Sequence, residues 1–318
     1  MKITISNTKS IENPSGSSMV SDWYNLYMKN MMTKSIKVVL CSFLFIVFGA
    51  SDANATHVIG GELKYRHIID DQYEIILTFR RDCLNGAPNA LFEDRANIWV
   101  FNGKGNLKLN IGSQGKFVMD LNPTDTLNQI IMSDCGFEGT QVCVEETIYK
   151  GILRLLFNPG EEGYLLAYQR CCRNSTLENI LDPLETGGTW TTAITEEVQS
   201  MNNINDSPNF VDWAPVYVCA NEDVNFDHSA IDADGDSLVY RLCTPFTGAT
   251  KDNPIATSAP KPPYTPVEWK SPFNLTNLLG GLPLQIDSKT GLMTGSPNLV
   301  GQFLVGICVE EYRNGVKI

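Results

Sequence analysis

The chain has 318 residues and a formal net charge of −12, from 24 Lys and Arg against 36 Asp and Glu. So acidic a surface argues against nucleic acid and anionic membranes as partners and favours cations, and the longest basic run is the pair Arg80-Arg81. The length leaves room for two domains.

Residues 1–55 read as an N-terminal extension with a signal peptide. Lys34 and Lys37 precede an apolar run from Val38 to Ala50, and Ala53-Asn54-Ala55 supplies the small-x-small pattern of a cleavage site, which would expose Thr56. The run falls short of the ~18 apolar residues of a spanning helix, so no transmembrane anchor is expected after cleavage. Thirty polar residues ahead of it make Met31 or Met32 the better starting residue. Cys41 follows Val38-Val39-Leu40, which lacks the small residues that precede a lipoprotein cysteine. Losing residues 1–55 removes five lysines and three acids, taking the net charge from −12 to −14.

Beyond residue 55 the period is two. Tyr73, Ile75, Leu77 and Phe79 alternate with Glu74, Thr78 and Arg80, and Leu107, Leu109 and Ile111 alternate with Lys108 and Asn110, as half-buried strands require. Ile98 to Phe101, Ile148 to Phe157, Tyr164 to Cys171, Val216 to Cys219, Leu238 to Leu242 and Phe303 to Val309 are further candidate strands, separated by turns such as FNGKGN, FNPGEEG and YRNG. With no amphipathic helix of three turns, the pattern predicts an all-β fold of two β-sandwich modules, residues 56–209 and 210–318. The polar stretch SMNNINDSPN, residues 200–209, reads as the linker. Seven prolines in residues 245–272 mark an insertion in the second module, since proline cannot serve a central strand. Arg313-Asn314-Gly315 carries a hairpin signal with three residues behind it, which predicts that a longer polypeptide or a partner supplies the returning strand.

Eight cysteines follow the signal, an even number that reads as four disulfides in an oxidising compartment. Zinc would need C-x-x-C spacing, which no pair has. Five cysteines precede residue 210 and three follow it, so full pairing needs a bridge between the modules. Cys171 and Cys172 would face opposite sides of a strand and so take different partners. The expected pairs are Cys135 with Cys143, Cys243 with Cys308, Cys83 with Cys172 through the parallel between LTFRRDC and LAYQRCC, and Cys171 with Cys219 as the crossing.

NEDVNFDHSAIDADGDSLVYRL, residues 221–242, and LPLQIDSKTGLMTGSPNLVGQFLVGICVEE, residues 282–311, resemble the immunoglobulin-like, cadherin-like modules of dystroglycan type found in bacteria. THVIGGELKY, YEIILTFRRDC and YQRCCRN resemble the N-terminal region of secreted surface proteins of gliding-type Bacteroidota that carry PKD or Ig-like modules. The first resemblance implies calcium at an acidic loop, with Asp232, Asp234 and Asp236 as ligands and Glu222 as a fourth. Calcium takes about six to eight oxygens, so carbonyls, water or a neighbour would complete the shell. An EF-hand is excluded, because counting from Asp232 puts Gly235 fourth and Cys243 at the place of the closing Glu. The alternative for the same three carboxylates is a solvated Asx turn.

H-E-x-x-H, G-x-S-x-G and G-x-x-x-x-G-K-[ST] do not occur, and His57, His67 and His228 read as ordinary strand or surface residues. No catalytic or organic-cofactor site is therefore expected. Trp99, Trp190, Trp213 and Trp269 could line a sugar surface or fill a core. The sequence predicts a secreted surface protein for adhesion, motility-related structure or scaffolding, its partners being cell-surface proteins, glycans or further modules of a longer chain. The alternative is a carbohydrate-binding or accessory module of a secreted hydrolase.

Overall fold

The computed structural model describes residues 58–83, 91–121, 127–132, 135, 141–200, 205–213 and 217–318. The signal peptide, its cleavage site, Met31, Met32 and Cys41, together with linker residues 201–204, lie outside the described residues. No helix among the described residues is long and apolar enough to cross a membrane.

The protein is nearly all β, as the period-two pattern predicts. Among the described residues, eight strands make the first sandwich: β1 (Val58–Ile69), β2 (Gln72–Asp82), β3 (Arg95–Asn102), β4 (Lys116–Asp120), β5 (Leu127–Met132), β6 (Gln141–Arg154), β7 (Tyr164–Arg170) and β8 (Gly188–Ile194). One antiparallel sheet has the order β1-β2-β6-β5 and the other β4-β3-β7-β8. Tyr73, Ile75, Leu77 and Phe79 of β2 all point into the interface and are at most 4% exposed, where they meet Ile98, Val100, Leu166 and Tyr168 of the facing sheet. The alternation at Leu107 to Ile111 forms no strand. Gly112, Gln114 and Gly115 all adopt left-handed backbone, so the chain coils there in turns that end on Ile111 and Lys116.

A short helix, α1 (Glu196–Ser200), leads toward the second half. Its strands are β9 (Asn209–Phe210), β10 (Val224–Asp227), β11 (Ala230–Ile231), β12 (Ser237–Leu242), β13 (Leu282–Ile286), β14 (Leu292–Ser296), β15 (Ile307–Arg313) and β16 (Val316–Lys317). They form sheets β10-β14-β13, β12-β15-β16 and β11-β9 around Leu278, Leu284 and Met293. The Asn-Gly signal is realised: Asn314 at φ 52° and Gly315 at φ 80° turn the chain so that Val316 and Lys317 pair back onto Arg313 and Tyr312. The candidate strand Val216 to Cys219 does not form over its described residues 217–219.

Each half sends a segment into the other. After β7, residues 177–181 lie between 268–270 and 302–304, through Glu178 N to Gln302 O (2.9 Å), Leu181 N to Glu268 O (2.9 Å) and Lys270 N to Asn179 O (3.1 Å). Ile180 is buried there with Val267 and Leu304. In return, the proline-rich segment 245–272 bridges Phe246 to Thr189 of β8 and Ile255 to Arg170 of β7, and places Ala259 and Tyr264 over Trp99, Phe101 and Ala167 on the outer face of the second sheet. It makes isolated bridges instead of a strand, as its prolines dictate.

The disulfides depart from the expected pairing except at Cys243–Cys308. Cys83 joins Cys143, Cys135 joins Cys219, and Cys171 joins its neighbour Cys172. The expected Cys83–Cys172 pair fails because β2 lies beside β6. Asp82 stands opposite Val144, which carries Cys83 to Cys143 with Cα atoms 5.2 Å apart. Cys143 is thereby unavailable to Cys135, which lies past the end of β5 and makes the bridge between halves that Cys171 was expected to make. Strand alternation does not separate Cys171 from Cys172, because β7 ends at Arg170.

At the Arg170 end of β7 the first sandwich is closed by buried charge. Arg170, 4% exposed, pairs with Glu93, whose backbone carbonyl accepts from Tyr149 Oη (2.8 Å) and whose carboxylate accepts from Tyr168 Oη (3.3 Å). Burial pushes the Glu93 carboxyl above the usual carboxylate range, against the pull of Arg170.

Candidate functional site

The acidic loop lies between β11 and β12. Asp232 Oδ1 accepts the backbone N–H groups of Asp234 (3.0 Å) and Asp236 (2.7 Å), an Asx turn closed by Gly235 at φ 85°. The ladder between β12 and β15 sets Ser237 opposite Tyr312 and Leu238 opposite Glu311. Glu311 and Arg313, two apart on β15, therefore share a face beside the loop.

Arg313 donates to both oxygens of Asp236, Nε to Oδ1 at 2.7 Å and Nη2 to Oδ2. The same Nη2 donates to Asn205 Oδ1 at 2.6 Å. Asn205, fully buried, donates from Nδ2 to Glu311 Oε1 and to Tyr65 Oη of β1, both at 2.9 Å. The fork of Arg313 holds its own pKa above the ordinary arginine value.

Asp232, Asp236 and Glu311 bring one carboxylate oxygen each within 4.8 Å of one another. Glu311 is 7% exposed, and its carboxyl is pushed up to about 8, first by burial and then by the Asp232 carboxylate beside it. Tyr65 is raised for the same reasons, burial first and the charge of Glu311 second. Asp232 Oδ2 is buried without a donor.

Two of the four expected ligands, Asp232 and Asp236, thus meet. Asp234 turns away, accepting from Asp206 N at 2.7 Å. Glu222 lines a shallow groove with Val218, Cys219, Asp223 and Phe226. Glu311 was not among the expected residues, although strand alternation through ICVEEYR turns one of its two glutamates inward. A cation at this cluster would share Asp236 with Arg313, which donates to both of its oxygens, and Asp232 Oδ1 with two backbone N–H groups. The loop's repulsion is relieved by backbone donors and a guanidinium.

The remaining candidates are spoken for. Trp99 is 5% exposed under the proline-rich segment, Trp190 packs edge-on against Phe79 at 5.2 Å, and Trp269 joins the second core. Trp213 carries Arg80 at 3.6 Å from its ring centroid and lies against Gly60, where a Cβ would approach the ring to 3.0 Å. His228 stacks on Phe210 at 4.3 Å with its pKa lowered by burial, and His67 meets the carbonyl of Asp70 at 2.9 Å. His57 lies outside the described residues. No protein-family model, curated protein or solved structure matches the chain.

Proposed function

We propose that this is an exported, non-enzymatic structural or adhesion protein of the cell surface, one unit of a larger surface assembly of the gliding-motility-associated type. The observation that carries the reading is the interlocking of the halves: 177–181 laced into the second, 245–272 laid over the first, and Cys135–Cys219 across them. Segments exchanged in both directions resist shear, because neither half can be pulled away without exposing apolar surface of the other. Disulfides suit an oxidising location outside the cytoplasm. The cadherin-like resemblance of residues 221–242 and 282–311 fits adhesion to surface proteins or glycans. Calcium, if bound, would be held at Asp232, Asp236 and Glu311 and would tie the acidic loop to β15.

The test is labelling of intact cells with an antibody to residues 56–318, alongside surface attachment and gliding of cells lacking the protein. Labelling without permeabilisation and weakened attachment or movement are expected. Glycan-array binding together with measurable hydrolysis would replace this reading with that of a hydrolase module.

A further inference from the structure

The edge of β1 meets the chain that enters the second half. Asp206 Oδ1 accepts from His67 N at 2.7 Å, and Ser207 exchanges hydrogen bonds with both backbone groups of Tyr65. The segment therefore runs antiparallel to β1 and brings Asn209, at the start of β9, to Lys64, whose Nζ donates to Asn209 Oδ1. Strand alternation sets Glu62 and Lys64 on the face of β1 away from the buried Leu63 and Tyr65, and Glu62 Oε1 accepts from the same Nζ at 3.3 Å. One amine thus touches a carboxamide and a carboxylate together. We propose that Lys64 and Asn209 become joined by an isopeptide bond that the folded protein forms by itself, with Glu62 carrying the protons.

The three groups in contact are all that this reaction needs. Glu62 takes a proton from the Lys64 ammonium, and the freed amine attacks Cγ of Asn209. The Nζ–Cγ bond forms, the Cγ–Nδ2 bond breaks, and Nδ2 leaves as ammonium with two of the three protons that Nζ began with, while the third stays on the new amide. Charge is conserved and nothing is oxidised or reduced. An amine and an amide free in solution react very slowly, but groups held in a reactive geometry reach effective molarities of ~10⁵–10⁸ M. Nζ already bonds to Oδ1, one bond away from Cγ, so a small slide brings it to the ~3–3.5 Å of a near-attack pair.

The surroundings hold the reactants and leave a way out for the product. The side chains of Lys64 and Glu62 are only 20% and 23% exposed, so both are held along the sheet, whereas Asn209 is exposed and its nitrogen can depart into water. Opposite Lys64 on β2 stands the apolar Ile76. Asn209 is fixed from its other side by pairing with Ile231 of β11 and by the stacking of its neighbour Phe210 on His228. The bond would span 145 residues and tie β1 to β9. Like Cys135–Cys219 it would join the two halves, but no reductant would open it.

The experiment is mass spectrometry of the purified protein after complete reduction, intact and digested with trypsin, for the wild type, Lys64→Arg and Glu62→Gln, each checked for its β circular dichroism spectrum. The wild type should weigh one ammonia less than its sequence, trypsin should fail to cut after Lys64, and a single branched peptide should contain both Lys64 and Asn209. A succinimide at an Asn-Gly pair such as Asn314-Gly315 also sheds ammonia, so the branched peptide is the deciding signal. Lys64→Arg keeps the positive charge and its hydrogen bonds but has no amine to attack with, and should show the full mass. Glu62→Gln keeps both reacting groups and should lack the branched peptide, since general acid–base help contributes about 10²–10⁴-fold. Separate Lys64 and Asn209 peptides from a folded wild type overturn the bond and leave an ordinary ion pair with a hydrogen bond. A branched peptide as abundant in Glu62→Gln as in the wild type overturns the role of Glu62.

Discussion

Asn179 offers the sharpest measure of the interlocking. It is completely buried on the segment laced into the second half, and its side chain imitates a strand neighbour: Oδ1 accepts from Leu304 N at 2.8 Å and Nδ2 donates to Leu304 O at 2.9 Å. Asn179→Ala removes both at once and leaves a buried N–H and a buried C=O without partners. Each such group costs about 1–3 kcal/mol, so the variant should lose roughly 3–4 kcal/mol. That is a large share of the ~5–15 kcal/mol by which domains are stable. The assay is urea unfolding followed by tryptophan fluorescence, to which Trp190 in the first core and Trp269 in the second both contribute, and by far-ultraviolet circular dichroism. The two signals should coincide in the wild type and move together in the variant. A loss below about 1 kcal/mol would show that water can replace Asn179. Two separated wild-type transitions would refute the claim that the halves are mutually dependent.

Three further outcomes are expected. A nonreduced digest should yield Cys83–Cys143, Cys135–Cys219, Cys171–Cys172 and Cys243–Cys308 in mass spectrometry; peptides joining Cys83 to Cys172 would contradict the β2-β6 neighbour relation. Replacing Cys243 and Cys308 together by Ala opens a loop of 65 residues and should cost up to about 4 kcal/mol of unfolding free energy, on the loop-entropy account. Glu93→Gln strands the buried Arg170 charge and should cost about 3 kcal/mol, whereas Glu93→Met with Arg170→Met should recover most of it; a double variant as unstable as the single would show that packing, not charge, sets the cost.

What could be read from the chain is what depends on near neighbours. The strands around Tyr73 to Phe79, Ile98 to Phe101 and Tyr164 to Arg170, and the buried faces of those strands, follow from an alternation that spans a few residues. The Asn314-Gly315 hairpin and the irregular course of 245–272 follow from local backbone chemistry. Alternation misleads where glycines divert the chain, as at residues 107–115, and where the strand it extends has already ended, as at Cys171 and Cys172. The parity of the cysteines requires a bridge between the halves, and one exists, but choosing Cys135 over Cys171 needs to know that β6 lies between β2 and β5. The carboxylates show the same division. The turn at Asp232 and Asp236 is written in five consecutive residues. Glu311, Arg313, Asn205 and Tyr65 come from positions up to 248 residues apart, and only the register of β12 on β15, with the 205–207 segment laid along β1, brings them together. Sequence separation carries no information about such meetings, because sheet register is fixed by the burial of whole strand faces and not by the polar groups it happens to bring together.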